Sequence, residues 1–339
     1  MNKKISLIIP ADSNNFYIED ILINILLWSL KPTEIIIIIT SKNKIQIGDD
    51  LKKELKKKNI SLVLIYKKNF FPGAARNIGI LKSKYNYLIF LDINTLPFNK
   101  DWLKTNFQYL LKNKLDGILG QTYYMASNKT EKIIRASTFG KGLLNTIPGS
   151  IFTKKTVLKV GFFDSVTRAG EDTEWLKRLT TYNLKTQKAL DPVCYKGLYN
   201  TNYIIIIKKW FRNYYYSSTL PHMLLQKNFY VVVLFVALFF FVYNLNLLAL
   251  QWKSPDKLYF PHVTKIFLIS SFIIYTSARG VLMPLRKKIN IRYLFPYNFF
   301  LVTLFSFILD CVKMTTFFLA SLSKLLSKNI YKSEKKSAQ

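Results

Sequence analysis

The chain has 339 residues and a formal net charge of +31, from 50 lysines and arginines against 19 aspartates and glutamates. Half of the residues are hydrophobic and 15% are aromatic, which is high for an ordinary globular chain. The two cysteines, Cys194 and Cys311, exclude a disulfide framework and a cysteine metal cluster, and they fit a reducing, cytoplasm-facing location. Because the apolar excess is concentrated after Phe229, we expect a soluble domain followed by an apolar appendage.

The strong positive charge suits three classes of partner: nucleic acid, an anionic membrane surface or phosphorylated substrates. The basic residues are scattered along the chain and no nucleic-acid-binding motif accompanies them, which argues against a nucleic-acid partner. Long apolar segments are present, so a membrane surface is the better explanation. A genome that favours lysine codons would account for part of the bias without any function.

The N-terminal half alternates short apolar runs with segments of helical spacing. The first apolar run is only about five residues long, too short for the core of a signal peptide, and is better explained as a strand. The nearly all-isoleucine run Glu34–Ile39 is typical of a strand buried on both faces, as in a parallel sheet. Strands are predicted at Ile5–Ile9, Glu34–Ile39, Ser61–Ile65 and Tyr87–Leu91, and helices at Tyr17–Leu30, Asp49–Lys58, Ala74–Leu81 and Asp101–Lys112.

This alternation predicts an α/β fold with a doubly wound, mostly parallel sheet that binds ligands at the carboxyl ends of its strands. Farther along, the polar segment Ala126–Asn145 is predicted to be a mobile loop or lid. A helix opens at Glu171 with acids and continues with bases, which suits the helix dipole. Further strands are predicted at Asp116–Gln121, Pro148–Phe152 and Thr186–Leu190, and a helical turn at Lys154–Val160.

The C-terminal region is predicted to associate with a membrane. Residues 201–228 mix bases with aromatic side chains, a combination that prefers the membrane–water interface. Residues 229–326 then contain two or three apolar segments, of which Phe229–Leu250 and Val263–Leu285 are long enough to span a bilayer. Arg279 lies in the second segment, and its side chain could extend from near the helix end to the interface.

The third apolar segment, Leu294–Leu326, is interrupted by Asp310 and Lys313, whose spacing of three puts them on one helix face where they could pair. The basic loop Arg286–Arg292 is expected to be cytoplasmic, and residues 327–339 form a basic tail. A single span between loop and tail would put them on opposite sides of the membrane, against the charge rule. Either the third segment is a bent, re-entrant or interfacial hairpin, or the tail is an exception.

Asp92 follows the predicted strand Tyr87–Leu91 directly. A carboxylate at the end of a buried strand is costly unless it meets a cation, a metal or a ligand hydroxyl. In open α/β sheets this end of the strand is also where ligands bind. The sequence therefore predicts a binding pocket at Asp92, with the capping of a strand-end turn as the alternative.

Several ordered segments resemble the family-2 glycosyltransferases of the GT-A fold. The start, ISLIIPADSNN, resembles the family's opening strand and donor loop, and the strongest match is PGAARNIGI at Pro72–Ile80 followed by YLIFLDINTLP at Tyr87–Pro97. GFFDSVTRAGEDTEWLKRL at Gly161–Leu179 resembles a third family segment. The resemblance covers Ile5 to Arg178 and implies a glycosyltransferase domain over residues 1–200.

The resemblance implies a nucleotide-sugar donor whose diphosphate is held by a divalent metal, Mn²⁺ or Mg²⁺, on a short Asp-x-Asp motif. Asp92 matches the first acid, and Asn94 stands in place of the second, so both are expected metal ligands. Hard cations prefer carboxylate oxygens, and the neutral amide of Asn94 would hold the metal more weakly. The implied donor-side residues, some of them near the diphosphate or structurally behind it, are Pro10, Asp12, Arg76, Asn77, Asp92 and Asn94.

The same resemblance implies an inverting transfer, in which a carboxylate deprotonates the acceptor hydroxyl as it attacks the anomeric carbon. Asp172 matches this catalytic base, and Glu171 is the neighbouring acid on the acceptor side. The alternative for Asp172 is a purely dipolar role at a helix N-terminus. Trp210 and Arg212 match a segment that borders the acceptor site in membrane-bound members, or they only anchor the chain at the interface.

We therefore expect a membrane-anchored, multi-pass, inverting hexosyltransferase with a cytoplasmic catalytic domain. It would move a sugar from a nucleotide-sugar donor to a lipid-linked or saccharide acceptor, in polysaccharide or cell-envelope biosynthesis. The second hypothesis is a catalytically weak membrane relative that binds nucleotide or partners without turnover. Two features support this second hypothesis. One is Asn94, and the other is the segment Thr40–Asn43, which stands where the family usually has acids that contact the base.

Overall fold

The structure is a computed structural model that describes residues 4–12, 15–41, 45–197, 202–218, 220–250 and 260–337. It consists of two compact units, Met1–Met125 with Gly142–Tyr199, and Ala126–Lys141 with Asn200–Gln339. The strands are β1 Ile5–Ala11, β2 Glu34–Ile39, β3 Ser61–Tyr66, β4 Tyr87–Phe90, β5 Thr95–Leu96, β6 Gly117–Tyr124, β7 Leu144–Thr153, β8 Thr186–Lys188 and β9 Val193–Tyr195. The helices are α1 Asn15–Leu26, α2 Asp49–Lys57, α3 Pro72–Lys82, α4 Trp102–Lys112, α5 Lys129–Ser137, α6 Lys154–Val160, α7 Glu171–Thr180, α8 Tyr203–Ser217, α9 Leu224–Leu250, α10 Phe260–Thr276, α11 Met283–Arg286, α12 Ile291–Leu294 and α13 Asn298–Ser337, with a π-helical segment Ser277–Leu282 between α10 and α11.

The first unit is built on a nine-stranded sheet in the order β3-β2-β1-β4-β7-β6-β9-β5, with β8 paired to β6. Strands β3, β2, β1 and β4 are parallel, as the sequence predicts, whereas β7 is antiparallel to both β4 and β6. The fold is thus a mixed, mostly parallel α/β sheet. Because Ile8 of β1 is in register with Phe90 of β4, the residues that follow these two strands emerge at one edge of the sheet.

Successive isoleucines of β2 pack on opposite faces of the sheet. Ile35, Ile37 and Ile39 belong to a core with residues of α1 and α4, and Ile36 and Ile38 to a second core with residues of α3 and α7. All five side chains are fully buried. Each contributes about 1.5–3 kcal/mol of transfer free energy, an upper estimate for folding. The predicted burial of both faces is confirmed.

The polar segment Ala126–Asn145 contains regular structure, so the prediction of a loop there is wrong. It contains α5, which belongs to the second unit, and the first residues of β7. The side chain of Asn128 accepts a hydrogen bond from the backbone N–H of Glu131, and the Glu131 carboxylate accepts one from the N–H of Ser127. This reciprocal capping satisfies two of the free N–H groups at the start of the helix.

In the second unit, α13 packs against α5, α8, α9 and the π-helical segment. It is one continuous helix of 40 residues, about 60 Å long. The hairpin alternative for the third apolar segment is therefore wrong. By length and composition, Lys265–Arg286 and Asn298–Lys324 are two helices that could cross a membrane, and Leu224–Val236 is a shorter apolar stretch.

Asp310 and Lys313 pair as the sequence predicts, with 3.3 Å between Nζ and Oδ1. The side chain of Arg279 does not extend to a helix end, because its Nε lies 2.7 Å from Oδ2 of Asp310. The hydroxyls of Tyr230 and Tyr275 also donate to this carboxylate, at 3.2 and 2.9 Å. One carboxylate on α13 thereby contacts α9, α10 and the π-helical segment.

The segment Thr40–Asn43, which stands where the family usually has base-contacting acids, is described only in part, since Lys42 and Asn43 lie outside the described residues. Residues 198–201, at the predicted domain boundary, also lie outside them. The two compact units divide near this point, between Tyr199 and Asn200. This division does not assign a function to either unit. The separate roles predicted for residues 201–228, 229–326 and 327–339 stay predictions.

We predict that Gly120→Ala destabilises the chain by about 1–3 kcal/mol. Gly120 lies at an irregularity in the β6–β7 pairing, and a Cβ there would lie 2.2 Å from the carbonyl oxygen of Pro148 and 2.7 Å from that of Thr146. Backbone atoms of a central strand cannot move away cheaply. Chemical unfolding followed by tryptophan fluorescence measures the effect.

The matched control is Gly142→Ala, because a Cβ at Gly142 has nothing within 4 Å. It should change the free energy of unfolding by less than about 0.5 kcal/mol. Equal effects of the two substitutions would contradict the steric explanation.

Candidate functional site

Asp92 lies in a tight turn directly after the end of β4. Its carbonyl oxygen accepts hydrogen bonds from the N–H and the hydroxyl of Thr95, at 2.9 and 2.8 Å, and its own N–H donates to that hydroxyl at 2.8 Å. These bonds fix the backbone of the turn. The Asp92 side chain keeps 31% of its surface exposed at the edge of the sheet.

Arg76 connects Asp92 to Glu171. Its side chain is only 3% exposed, and its Nη2 donates to Oδ1 of Asp92 at 2.8 Å while its Nη1 donates to Oε1 of Glu171 at 2.9 Å. Burial lowers the pKa of Arg76, but the carboxylates of Asp92 and Glu171 raise it and the net direction is upward. Arg76 is therefore a buried cation held between two carboxylates, and not a base on the helix surface.

Asn77 holds the segment Gly161–Phe163. Its amide donates to the carbonyl of Phe163 at 2.8 Å and accepts from the N–H of the same residue at 2.9 Å. From the other side, Trp175 donates to the carbonyl of Gly161 at 2.7 Å, and Arg178 donates to that of Phe162 at 2.7 Å. Both polar ends of the Asn77 side chain are thus bonded to the backbone of Phe163.

Helix α7 begins with Glu171 and Asp172 because Gly170 adopts a left-handed conformation, with φ of 91°, at its N-cap. The chain comes very close to α3 here. A Cβ on Gly73 would lie 2.0 Å from the carbonyl oxygen of Asp164 and 3.2 Å from Cγ of Glu171. The glycine of the PGAARN motif is therefore what allows α3 and the start of α7 to meet.

The two adjacent acids differ in environment. Glu171 is buried, and burial raises its pKa to about 7; the charge of Asp172 adds to this rise and Arg76 opposes it. Asp172 is half-buried, and its Oδ1 accepts a hydrogen bond from the N–H of Thr173 at 2.8 Å. The structure therefore joins Asp92, Arg76 and Glu171 by direct hydrogen bonds, and Asp172 follows Glu171 in the chain.

Tyr124 also belongs to this site, although the sequence analysis does not find it. Burial raises its pKa, and charge interactions with Tyr195, Asp172 and Asp92 raise it further. Tyr124 ends β6 and is paired with Tyr195 of β9, with 4.8 Å between the ring centroids. The sequence does not indicate that Tyr124 lies near Asp92 and Asp172. Its position depends on the pairing of β6 with β9, a strand that is distant in the chain.

The other predicted donor-side residues lie at the same end of the sheet. Pro10 is the penultimate residue of β1, in register with Ile38, and Asp12 follows the strand and is exposed. Asn94 is half-buried, and its carbonyl oxygen accepts from the N–H of Lys196 at 2.9 Å.

Trp210 and Arg212, predicted on the acceptor side, belong to α8 in the second unit. The Trp210 ring packs against the rings of Phe139 and Tyr214, with centroid distances of 5.8 and 5.9 Å. The Arg212 side chain is exposed and lies 3.4 Å from Oδ1 of Asn213.

The fit of a divalent metal depends on Asp92. The described residues contain no group of three or more histidines, cysteines, aspartates or glutamates that could hold a metal by themselves. Mg²⁺ and similar ions are, however, often bound by one or two carboxylates together with substrate phosphates. Oδ1 of Asp92 is bonded to Arg76, so a metal at this site would be held by the remaining carboxylate oxygen, Asn94 and the phosphates of a substrate.

Comparison with known proteins gives one family. The sequence model of the family described as Glycosyl transferase family 2 matches residues 6–180. An "Uncharacterized glycosyltransferase" of Rickettsia felis and "Uncharacterized glycosyltransferase RC0461" of Rickettsia conorii are 29% identical over 187 and 181 residues. Each match covers 50% of this chain and 29% of the relative, so the chain spans less than a third of their length.

Two solved structures are similar over most of the chain. The S. aureus TarS 1–349 structure in complex with UDP-GlcNAc has 12% identity and a TM-score of 0.45, covering 96% of this chain and 92% of that one. The mannosyltransferase PcManGT from Pyrobaculum calidifontis in complex with GDP-Man and Mn²⁺ has 11% identity and a TM-score of 0.49, covering 96% and 88%.

We predict that Glu171→Gln flattens the pH dependence of stability between about pH 4.5 and 7. Because the pKa of Glu171 rises from a usual 4.5 to about 7, the folded chain binds this proton more tightly than the unfolded chain does. The resulting stabilisation is complete below pH 4.5 and is lost as the pH rises through 7. It amounts to about 3 kcal/mol.

The free energy of unfolding of the wild-type chain, Glu171→Gln and Glu54→Gln should be measured across this range. The hydrogen bond from Lys57 lowers the pKa of the partly exposed Glu54, so its substitution should leave the pH dependence above pH 4.5 intact. A wild-type slope retained in Glu171→Gln would contradict the assignment of the proton to Glu171.

Proposed function

Since the chain belongs to glycosyl transferase family 2, we propose that it transfers a sugar from a nucleotide-sugar donor to an acceptor hydroxyl with inversion at the anomeric carbon. The observation that carries this proposal is the bridge from Asp92 through Arg76 to Glu171. It ties the edge of the sheet, where a donor diphosphate would bind, to the helix start that carries Asp172. One rigid cluster thereby serves both substrates.

On the donor side, Asp92 and Asn94 are the proposed ligands of a divalent cation that the nucleotide-sugar brings with it. Such a cation, when bound, stabilises the charge on the departing diphosphate. Arg76 neutralises one oxygen of Asp92 and holds the carboxylate in place. Asp12, exposed at the end of β1, is the proposed contact to the nucleoside. Asn77 supports the site through Phe163.

On the acceptor side, Asp172 is the proposed base. It removes the proton from the acceptor hydroxyl as the oxygen attacks the anomeric carbon from the face opposite the diphosphate. Glu171, buried behind it and bonded to Arg76, positions the start of α7. Trp210 and Arg212 are kept as proposed acceptor contacts on α8. The sugar is proposed to be a hexose.

The acceptor is proposed to be a lipid-linked or other saccharide at the cytoplasmic face of a membrane, in polysaccharide or cell-envelope synthesis. Two helices of sufficient length and apolar composition support this proposal. The basic loop Arg286–Arg292 between them favours the cytoplasmic side, where anionic headgroups attract it. A multi-pass anchor would keep the enzyme beside an acceptor that does not leave the membrane.

A second candidate function is the binding of nucleotide or of a partner without turnover. Asn94 favours it, because it replaces the carboxylate that would complete the metal site, and no larger acidic cluster occurs in the described part of the chain. The two candidates differ in metal dependence and in turnover.

Asp172→Asn should lower sugar transfer by about 10²–10⁴-fold, because the amide cannot accept the proton. Turnover of the full-length chain would be followed as donor hydrolysis or transfer with a panel of nucleotide-sugars. Donor affinity should stay unchanged and the unfolding temperature should not fall, since Asp172 is half-buried and its charge opposes that of the buried Glu171. Glu54→Gln, which removes a partly exposed carboxylate from α2, is the control and should keep full activity. Wild-type activity in Asp172→Asn would exclude this base.

Calorimetry with nucleoside diphosphates should show binding that depends on Mn²⁺ and weakens about tenfold or more in Asp92→Asn. Asp49→Asn is the charge-matched control, because Asp49 is an exposed surface acid. Metal-dependent binding with donor hydrolysis supports the enzyme, and binding without hydrolysis supports the second candidate. The absence of any nucleotide binding would contradict the enzyme and favour the partner-binding form of the second candidate.

A further inference from the structure

The second unit contains a cavity of about 380 Å³ between the start of α5 and the segment that joins α12 to α13. Its lining carries two lysines and no acid: Lys129, Lys132, Tyr293, Phe295, Pro296, Tyr297 and Asn298. A concave site with two ammonium groups and no carboxylate favours an anionic ligand. None of these residues takes part in the candidate glycosyltransferase site.

Helix α5 is fixed at this place by contacts within its own unit. The hydroxyl of Ser137 donates to the carbonyl of Val302 in α13 at 3.3 Å. The N–H of Lys141 donates to the carbonyl of Lys287 at 2.8 Å, and the Lys287 ammonium donates to the carbonyl of Thr138. The cavity is therefore held between elements that are tied together, and the lysines have a fixed helical base.

The two lysines are available to a ligand. Lys129 and Lys132 are three residues apart, so they project from one face of α5. Both are exposed, and neither forms an ion pair with a residue in the described part of the chain. The nearest acid in sequence, Glu131, is buried and occupied, because it accepts hydrogen bonds from the N–H of Ser127 at 2.6 Å and the amide of Asn128 at 3.0 Å.

Tyr293 lines the cavity, but its hydroxyl is buried and does not face the open space. The polar groups that a ligand can reach on the lysine side are therefore the two ammonium groups. They match the acceptor oxygens of a phosphate group.

The rim of the cavity is apolar and continues along α13. Phe295 is 45% exposed and Tyr297 is 76% exposed, and on α13 Phe300 and Leu304 are 59% and 58% exposed. Exposed aromatic and aliphatic side chains in one stretch indicate contact with an apolar partner. A ligand with an anionic head and a hydrocarbon body would match both the cavity and this apolar stretch.

We propose that this cavity binds the phosphate headgroup of a lipid. The ammonium groups of Lys129 and Lys132 contact the phosphate oxygens, and the hydrocarbon chain lies along the exposed side of α13. The charge complementarity selects a lipid phosphate over a neutral lipid, and the apolar rim selects it over inorganic phosphate.

The test uses the purified full-length chain in a neutral detergent and dioctanoyl phosphatidic acid as the probe. Thermal unfolding is followed by tryptophan fluorescence as the probe is titrated, because a ligand of the folded state raises the unfolding temperature. The lipid should stabilise the wild-type chain, whereas dioctanoylglycerol and inorganic phosphate at equal concentration should not. Lys129→Gln/Lys132→Gln should weaken the apparent affinity about tenfold or more.

The matched control is Lys104→Gln/Lys112→Gln, which removes two exposed lysines from α4. It changes the net charge equally and should leave the affinity unchanged. Equal loss in both lysine doubles, or equal stabilisation by inorganic phosphate or dioctanoylglycerol, would overturn the proposal, whatever the chain's glycosyltransferase activity proves to be.

Discussion

The buried guanidinium of Arg76 is the interaction on which the first unit's site depends. It joins three elements that are far apart in the chain: the turn after β4, helix α3 and the start of α7. A buried ion pair contributes little to net stability, but the loss of one partner costs about 3–5 kcal/mol because an uncompensated charge remains. The bridge therefore fixes where Asp92 and Glu171 lie more than it stabilises the fold, and this is the property that a two-substrate site needs.

Much of this region could be predicted from the sequence because its signals are local. The isoleucine run of β2, the acid after β4 and the PGAARN motif of α3 can each be recognised from a few consecutive residues. The partner of Arg76 could not be predicted in this way, since Glu171 lies 95 residues away. The same holds for Asn77, whose amide bonds to the backbone of Phe163 and has no side-chain partner to search for.

The second unit shows two different reasons for error. The capping pair of Asn128 and Glu131 was present in the sequence, but the polar composition of Ala126–Asn145 concealed it. Arg279 lies 31 residues from Asp310, and in an apolar helix a charged side chain can either reach water or find an opposite charge. Only the packing of α13 against the π-helical segment decides between these two positions of the Arg279 side chain. The spacing of apolar residues in the sequence does not reveal that packing.

The support of Gly161–Phe163 from both sides has an entropic consequence. Asn77, Trp175 and Arg178 order this segment and, with it, the approach to α7 through contacts that belong to the chain itself. Fixing one residue's backbone costs about 1–2 kcal/mol, and folding has already met that cost here. A substrate that binds next to α7 can then apply its interaction energy to its own orientation instead of to ordering the protein.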